Sequence, residues 1–187
     1  MEILNDFQTS LRKAFSEIDP KYESYDGLVI CGTHAPHNTE EMIKKIQQAR
    51  ETGVPFLGIC FGMQLMAIEY ARNVLRIKDA TSEEFGTGTF VVQKMPGFRI
   101  GQRPVGQRFE SFWHQYSVDS SYFIGGLWRL TYSENFPAIM ILEGYPFFVG
   151  TQFHPEYESS KGNYHPLLVQ YIDTCKKLNG SAVGVPH

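Results

Sequence analysis

The chain has 187 residues, of which 42% are hydrophobic and 20% charged, and its formal net charge at pH 7 is −3. This length and composition are typical of one globular domain with a substantial core. The weak negative charge excludes a general attraction to nucleic acid or to anionic membranes, and no run of about 18 apolar residues is present to span a bilayer.

The N-terminus and the cysteines indicate the compartment. The first six residues contain two acids and lack the basic-then-apolar order of a signal peptide. The three cysteines are odd in number and widely spaced, which suits a reducing compartment and argues against a structural zinc site. We therefore expect a cytoplasmic protein that needs no metal and no cofactor. The sequence leaves a homo-oligomer open.

The first predicted element is a helix over residues 2–18. Its apolar side chains fall on one helical stripe, which Asp19 and Pro20 end. The stripe consists of Ile3, Leu4, Phe7, Leu11, Ala14, Phe15 and Ile18. This prediction places no strand ahead of the next element.

A buried parallel strand is predicted over residues 26–30, followed by a polar loop and a helix over 39–52. The loop contains His34 and His37, whose spacing could hold a metal ion. Because no third ligand lies nearby in the sequence, two solvated histidines are the favoured interpretation.

Residues 58–62, Gly-Ile-Cys-Phe-Gly, join a short apolar run to a helical pattern that continues to Asn73. A buried strand that turns sharply into a helix at Gly-X-Cys-X-Gly is a nucleophile elbow, and glycines flank the cysteine because a Cβ there would crowd the turn. The turn puts Cys60 at a helix N-terminus, where backbone N–H groups and the helix dipole favour the thiolate. A small buried apolar cysteine is the alternative interpretation.

A basic β-ribbon is predicted over residues 86–109. This stretch carries four basic and no acidic residues, and its apolar segments 89–92 and 98–101 are typical of strands. A solvated face is the ordinary interpretation of such a ribbon. Docking of an acidic partner or an anionic substrate is the alternative.

The remaining elements are three strands and a closing helix. The strands are predicted over residues 127–132, 138–142 and 147–153, and the helix over 166–178. We expect a single domain over residues 1–179 and a mobile tail over 180–187, which lacks core residues.

The last of these strands leads directly into His154, Pro155 and Glu156. A nucleophilic cysteine needs a base, and the base needs an acceptor that orients it. We therefore predict a catalytic triad of Cys60, His154 and Glu156.

Together, the elbow and the His-Pro-Glu segment resemble the class I glutamine amidotransferases, whose triad has this composition. More narrowly, the chain looks like the glutaminase domain of the CTP synthases. The matching segments are residues 58–64, 71–74, 82–85 and 146–156. The similarity runs from about Asp26 to about Ser160 and is interrupted around residues 105–112, where this chain is shorter.

The resemblance implies an α/β fold of the flavodoxin-like type, with a mainly parallel sheet, flanking helices and a β-ribbon. Members of the family begin with a strand, and usually a second one, before the strand that corresponds to residues 26–30. Here the sequence predicts only a helix and a linker in that place. We therefore expect that the sheet lacks its first edge strand or that the chain is shortened at its N-terminus.

The resemblance also implies an oxyanion hole built from backbone N–H groups. In this chain the corresponding residues are Gly32, Thr33 and Phe61. Thr33 stands where the family has the second glycine of a Gly-Gly pair. The donor survives that change if the peptide adopts the required conformation.

A glutamine pocket is implied as well, formed by Gln64, Glu84, Gln115 and Tyr116. Glu84 corresponds to the glutamate that binds the α-amino group of the substrate, and a solvated acidic turn is the alternative interpretation of that residue. Gln115 stands where the family has an arginine.

The function that the resemblance implies is hydrolysis of the side-chain amide of L-glutamine to glutamate and ammonia through a cysteinyl thioester. The sequence contains no Gly-x-x-x-x-Gly-Lys-Ser/Thr loop and no room for an ATP-dependent synthetase, so the ammonia is expected to pass to a separate synthetase. Two alternatives stay open. One is a hydrolase of another γ-glutamyl compound, and the other is an inactive amidotransferase-like binding or regulatory module.

Overall fold

The computed structural model describes residues 1–6 and 8–182. They form a six-stranded sheet with helices on both faces and a separate three-stranded sheet. The elements in chain order are β1 (Glu2–Leu4), α1 (Thr9–Ile18), β2 (Leu28–Ile30), α2 (Thr39–Thr52), β3 (Phe56–Ile59), α3 (Phe61–Asn73), β4 (Ala80–Ser82), β5 (Thr89–Val105), β6 (Arg108–Val118), β7 (Trp128–Ser133), β8 (Phe136–Leu142), β9 (Phe148–Thr151) and α4 (Pro166–Ala182). Two short 3-10 helices, Tyr22–Ser24 and Ser120–Tyr122, lie in connecting segments.

The six-stranded sheet has the order β1-β2-β3-β9-β8-β7. Its first four strands run parallel, and β8 and β7 add an antiparallel edge. The carboxyl ends of the parallel strands β2, β3 and β9 therefore lie at one edge of the sheet, where open α/β sheets bind their ligands. The predicted α/β fold with a mainly parallel sheet is confirmed.

Alternate residues of the central strands enter two different cores. In β2, Leu28 and Ile30 pack with α2 and α3, whereas Val29 packs with α1 and α4. In β3, Phe56 belongs to the core with α2 and α3, and Leu57 belongs to the core with α1 and α4. Because successive strand side chains point to opposite faces, both faces of the sheet are covered, which explains why these strands are apolar throughout.

Helix α2 shows how local sequence sets an element's limits. It begins at Thr39 and ends before Gly53, which adopts φ +73°, a left-handed conformation common at helix C-termini. Two acids occupy its first turn and Arg50 its last, so both ends complement the helix dipole. The bounds equal the predicted ones.

The prediction for the N-terminus is wrong. Residues 2–4 form the edge strand β1, which pairs in parallel with β2, so the sheet has a strand ahead of Leu28. The chain breaks at Asn5, which has φ +75°, and the helix begins only at Thr9. Apolar Ile3 and Leu4 suit a strand as well as a helical stripe, and sheet pairing decides between them. Phe7 of the predicted stripe lies outside the described residues.

The predicted β-ribbon is present as the antiparallel pair of β5 and β6, and it extends beyond residue 109. The two apolar segments over 89–92 and 98–101 belong to the single strand β5, whose antiparallel partner is β6. The register shifts between Lys94 and Arg99, and Gly106 with φ +59° closes the hairpin. Strand β4 joins β5 in parallel, which makes a three-stranded sheet.

The closing helix is longer than predicted. It continues to Ala182, so residues 180–182 belong to α4 and not to the predicted tail. The rest of that tail, residues 183–187, lies outside the described part of the chain.

None of the helices within residues 1–6 and 8–182 combines the length and the apolar character that a membrane crossing requires.

Candidate active site

Cys60 occupies the sharp turn between β3 and α3. Its φ of +53° and ψ of −100° lie outside the conformations that L-residues ordinarily adopt. A Cβ on Gly58 would come within 2.6 Å of the backbone of Gly62, and a Cβ on Gly62 within 2.1 Å of the Ile30 carbonyl oxygen. Both flanking glycines are therefore required by close backbone approach, as the sequence predicted for an elbow.

Cys60 is 9% exposed, and its sulfur faces three polar groups. The backbone carbonyl oxygen of Trp113 lies 3.7 Å from Sγ, and Nε2 of Gln152 lies 3.5 Å from it. His154 lines the same cavity as Cys60, and its interaction with the sulfur is one of the causes that raise the pKa of the imidazole. The elbow thus aims Cys60 at donors and an acceptor that come from β6 and from the segment after β9.

His154 and Glu156 form a buried pair directly after β9. The distance between Nδ1 of His154 and Oε1 of Glu156 is 2.8 Å, and the residues are 3% and 4% exposed. Because a carboxylate only accepts, Nδ1–H donates to Glu156 and Nε2 is left to face Cys60. The structure therefore brings the three predicted triad residues together, with His154 hydrogen-bonded to Glu156 and interacting with Cys60.

The charge of His154 follows from these contacts. Burial opposes its charged form, but the contacts with Cys60 and with Glu156 outweigh burial and raise the pKa of His154 from 6.5 to about 10. At neutral pH the imidazole is therefore protonated. This is the state of a histidine that is ready to act as an acid.

Tyr157 covers the His154 ring, which the sequence gave no reason to expect. The two rings are stacked at 10° with their centroids 4.7 Å apart. An aromatic face at this distance attracts a cation, which favours the imidazolium. Tyr157 therefore supports the same protonation state as Glu156 does.

A cavity of about 250 Å³ opens on one side of Cys60. It contains all four predicted substrate-pocket residues and two of the three predicted oxyanion-hole residues. Its lining includes Thr33, Cys60, Phe61, Gln64, Glu84, Trp113, His114, Gln115 and Tyr116. The segments that carry these side chains are far apart in the sequence, and the fold brings them together around the sulfur.

Two of the pocket residues are anchored differently. Gln64 is buried, and its Nε2 donates to the carbonyl oxygen of Tyr116 at 3.0 Å. Glu84 as a whole residue is exposed, but its carboxyl group is partly buried at the cavity wall. This burial raises the pKa of Glu84, because desolvation disfavours the charged carboxylate.

A second cavity, of about 180 Å³, is also lined by Cys60. Its lining includes Gly32, Thr33, His154 and Tyr157. Thr33 is held by its hydroxyl, which donates to Asp6 at 2.6 Å and accepts from the Ala35 N–H at 3.0 Å. The predicted oxyanion-hole residues thus lie on the two cavities that meet at the sulfur.

His114 lies beside the first cavity, and we did not single it out from the sequence. Burial is the main cause that lowers its pKa to about 4, so it is neutral at physiological pH. Its Nδ1 therefore donates to the Tyr116 carbonyl oxygen, at 2.9 Å, and holds β6 beside the cavity.

The basic side chains of the ribbon are largely paired. Arg103 bonds Glu134, Arg99 lies 3.9 Å from the same carboxylate, and Arg108 bonds Glu110 at 3.0 Å. This pairing favours a neutralised face over a docking site for an acidic partner. The sequence could not show it, because Glu134 is distant from the ribbon in the chain.

The loop histidines are exposed. His37 donates from Nδ1 to the Ala35 carbonyl oxygen, and His34 lies against the Trp113 ring with the centroids 5.8 Å apart. Within residues 1–6 and 8–182, no three histidine, cysteine, aspartate or glutamate side chains are grouped as a metal site would need.

Comparison with known proteins adds to this geometry. The family Glutamine amidotransferase class-I matches residues 5–174. The CTP synthase of Methanoregula boonei is 34% identical over 182 residues, covering 82% of this chain and 35% of that protein. The CTP synthase of Thermotoga maritima is 34% identical over 201 residues, covering 88% and 38%. The chain therefore spans about a third of the length of these relatives.

Among solved structures, the glutaminase domain of Trypanosoma brucei CTPS with bound acivicin is similar in fold. The TM-score is 0.80 at 20% sequence identity, and the match covers 94% of this chain and 92% of that one. The identity is too low to carry more than the fold. With the family match over most of its length, the chain belongs to the class-I glutamine amidotransferases.

Proposed function

We propose that this protein hydrolyses the side-chain amide of L-glutamine to glutamate and ammonia through a thioester on Cys60. The observation that carries the proposal is the arrangement of Cys60, His154 and Glu156 at the carboxyl edge of the sheet, where His154 is hydrogen-bonded to Glu156 and interacts with Cys60. The curated relatives are CTP synthases, which agrees with an amidotransferase function of that type.

The proton on His154 sets the order of events. Since its pKa is raised to about 10, the histidine begins as imidazolium beside the sulfur. The Cys60 thiolate attacks the amide carbon, and His154 gives its proton to the departing nitrogen, which leaves as ammonia. A water molecule then attacks the thioester and gives a proton to the now neutral His154, so glutamate is released and the starting state returns.

The negative charge that develops on the amide oxygen needs donors. Backbone N–H groups of Phe61, in the first turn of α3, and of Thr33, after β2, are the candidates. First-turn N–H groups have no partner within their own helix, so Phe61 is available. Each such donor is worth about 3 kcal/mol in comparable hydrolases.

The first cavity suits a small substrate. Its volume of about 250 Å³ lies near the lower end for small-molecule sites, which favours a free amino acid over a larger glutamyl conjugate. Glu84 would bind the α-ammonium group, which offsets the desolvation that raises its pKa. Gln64, Gln115 and Tyr116 would hold the rest of the glutamyl end.

The use of the ammonia is also a proposal. The curated relatives are CTP synthases, so we infer that the ammonia is supplied to a synthetase. An inactive binding module is the second candidate. It is disfavoured because the strained elbow of Cys60 and the His154–Glu156 pair are both kept.

The test uses two neighbouring glutamates. Glu84→Gln removes the charge at the cavity wall and should lower kcat/KM for glutamine by on the order of ten- to a hundred-fold, since a charge-assisted bond is worth about 1.5–3 kcal/mol. Glu83→Gln is the matched control. The Oε2 of Glu83 accepts the Lys94 N–H at 2.7 Å, outside the cavity lining, and an amide oxygen can still accept it.

A glutamine derivative with a blocked α-amine separates the alternatives. We expect it to be a poor substrate for the wild type and to respond little to Glu84→Gln. Equal losses from the Glu83 and Glu84 changes would contradict the pocket assignment. A wild-type preference for a larger γ-glutamyl compound over glutamine would contradict the proposed substrate.

A further inference from the structure

Gln152 is a buried polar residue beside the nucleophile, and the proposed mechanism has given it no role. It follows β9 and is 0% exposed, and its backbone N–H donates to the Ala138 carbonyl oxygen at 2.9 Å. Its Nε2 lies 3.5 Å from the Cys60 sulfur, and its Oε1 lies 3.4 Å from Nε2 of Gln64. A buried amide with both ends engaged is held in one position.

The orientation of the Gln152 amide follows from what each partner can do. A backbone carbonyl can only accept, so the Tyr116 carbonyl requires Gln64 to present its NH₂ group. That NH₂ group in turn requires an acceptor on Gln152, which places the Gln152 oxygen toward Gln64. The remaining NH₂ group of Gln152 therefore faces the sulfur. The reverse orientation would set donor against donor and a carbonyl oxygen against a thiolate.

We propose that Gln152 is a catalytic residue that donates a hydrogen bond to the Cys60 thiolate, and that Gln64 is a positioning residue that orients it from the Tyr116 carbonyl. The proposal rests on the proposed role of Cys60 as nucleophile. It adds a neutral donor on the sulfur to the charged group beside it, His154.

The chemical reason is the cost of a buried charge. A thiolate in a mostly buried site loses hydration, and hydrogen bonds that favour the charged form recover part of it. The Trp113 carbonyl at 3.7 Å can accept from a thiol but repels a thiolate, so it favours the protonated sulfur. The Gln152 donor counteracts that preference. The hydrogen bonds that run from the Tyr116 carbonyl through Gln64 and Gln152 to Cys60 form a relay. Because Tyr116 also lines the cavity, this relay connects the cavity wall to the nucleophile.

The test is the pH dependence of Cys60 alkylation by iodoacetamide, followed by mass mapping of the modified cysteine. This small reagent reports the thiolate directly and requires no glutamine turnover. The variants are Gln152→Met, Gln64→Met and the double substitution. Gln93→Met is the matched control, because Gln93 is an exposed residue of β5 that bonds Asp119 away from the sulfur.

We expect Gln152→Met to raise the pH of half-maximal alkylation by about one unit, which is about a tenfold loss of rate at lower pH. Gln64→Met should give a smaller rise, and the double variant should match Gln152→Met, because Gln64 acts through Gln152. Gln93→Met should leave the profile unchanged.

An unchanged profile in folded Gln152→Met would overturn the role of Gln152. Shifts that add in the double variant would overturn the positioning role of Gln64. If Gln152→Met does not fold, Gln152→Glu keeps the shape and must raise the pH of half-maximal alkylation above that of the wild type, since it sets a carboxylate against the thiolate. A lack of glutaminase activity with a normal alkylation profile would count against the proposed function and not against the relay.

Discussion

The charge of Glu156 can be separated from its geometry by Glu156→Gln. Oε1 of Glu156 accepts from Nδ1 of His154 at 2.8 Å, and an amide oxygen in the same place can still accept that bond. The other oxygen, Oε2, is buried and has no hydrogen-bond partner within the described part of the chain. The substitution therefore keeps the orientation of the imidazole, breaks no other bond and removes one negative charge.

The expected effect is a lower pKa of His154. Burial already opposes the imidazolium, and the contacts with Cys60 and Glu156 raise the pKa from 6.5 to about 10. An adjacent buried opposite charge typically accounts for about 1–3 units, so the variant should titrate between roughly pH 7 and 9. This corresponds to about 1.4–4 kcal/mol, which limits the loss in kcat/KM to about ten- to a thousand-fold.

The assay is the pH profile of kcat/KM for glutamine, whose alkaline limb reports the pKa of the essential acid in the free enzyme. The limb should lie near pH 10 in the wild type and move down in Glu156→Gln. Because the pKa of His154 is higher in the folded protein, protonation of His154 stabilises the fold fully below pH 6.5. This contribution is lost as the pH rises through about 10. The difference in unfolding free energy between the two proteins should therefore shrink over that interval. An alkaline limb at the same pH in both proteins would show that the charge of Glu156 does not raise the pKa of His154.

Cys60 should be alkylated first by a glutamine-like electrophile, because the other two cysteines are 0% exposed, and rapid labelling of either of them, detected by mass mapping, would count against the elbow. Gly62→Ala should lower the free energy of unfolding by about 1–3 kcal/mol, since its Cβ would meet the Ile30 carbonyl at 2.1 Å. Gly180→Ala, within α4 and with no atom of another described segment within 4 Å of the added Cβ, should instead raise it by up to about 1 kcal/mol, and similar denaturant midpoints for both variants would contradict this difference in packing.

The sequence predicted the elements whose signals are local. The elbow at Cys60 is set by two glycines and a helical pattern, and α2 by its charges and Gly53. The residues of the cavity of about 250 Å³ followed from a family resemblance, and the structure brings them together around the sulfur. Their roles in binding and catalysis stay predictions.

What the sequence did not predict depends on contacts between distant segments. Strand β1 is short, and only pairing with β2 distinguishes it from the start of a helix. The pairing of the ribbon arginines with Glu134 and the stacking of Tyr157 on His154 likewise have no local signal. Gln152 does have a local sequence signal, because it is a polar residue in a mostly apolar run just before the His-Pro-Glu segment.

The central claim is that Cys60 hydrolyses glutamine, and the most direct measurement is ammonia release by the purified protein and by Cys60→Ser. We expect the wild type to release ammonia and glutamate in equal amounts, and Cys60→Ser, with an unchanged fold, to release neither above background. Equal ammonia release by both proteins, or none from folded wild type alone and with a candidate synthetase present, would contradict it.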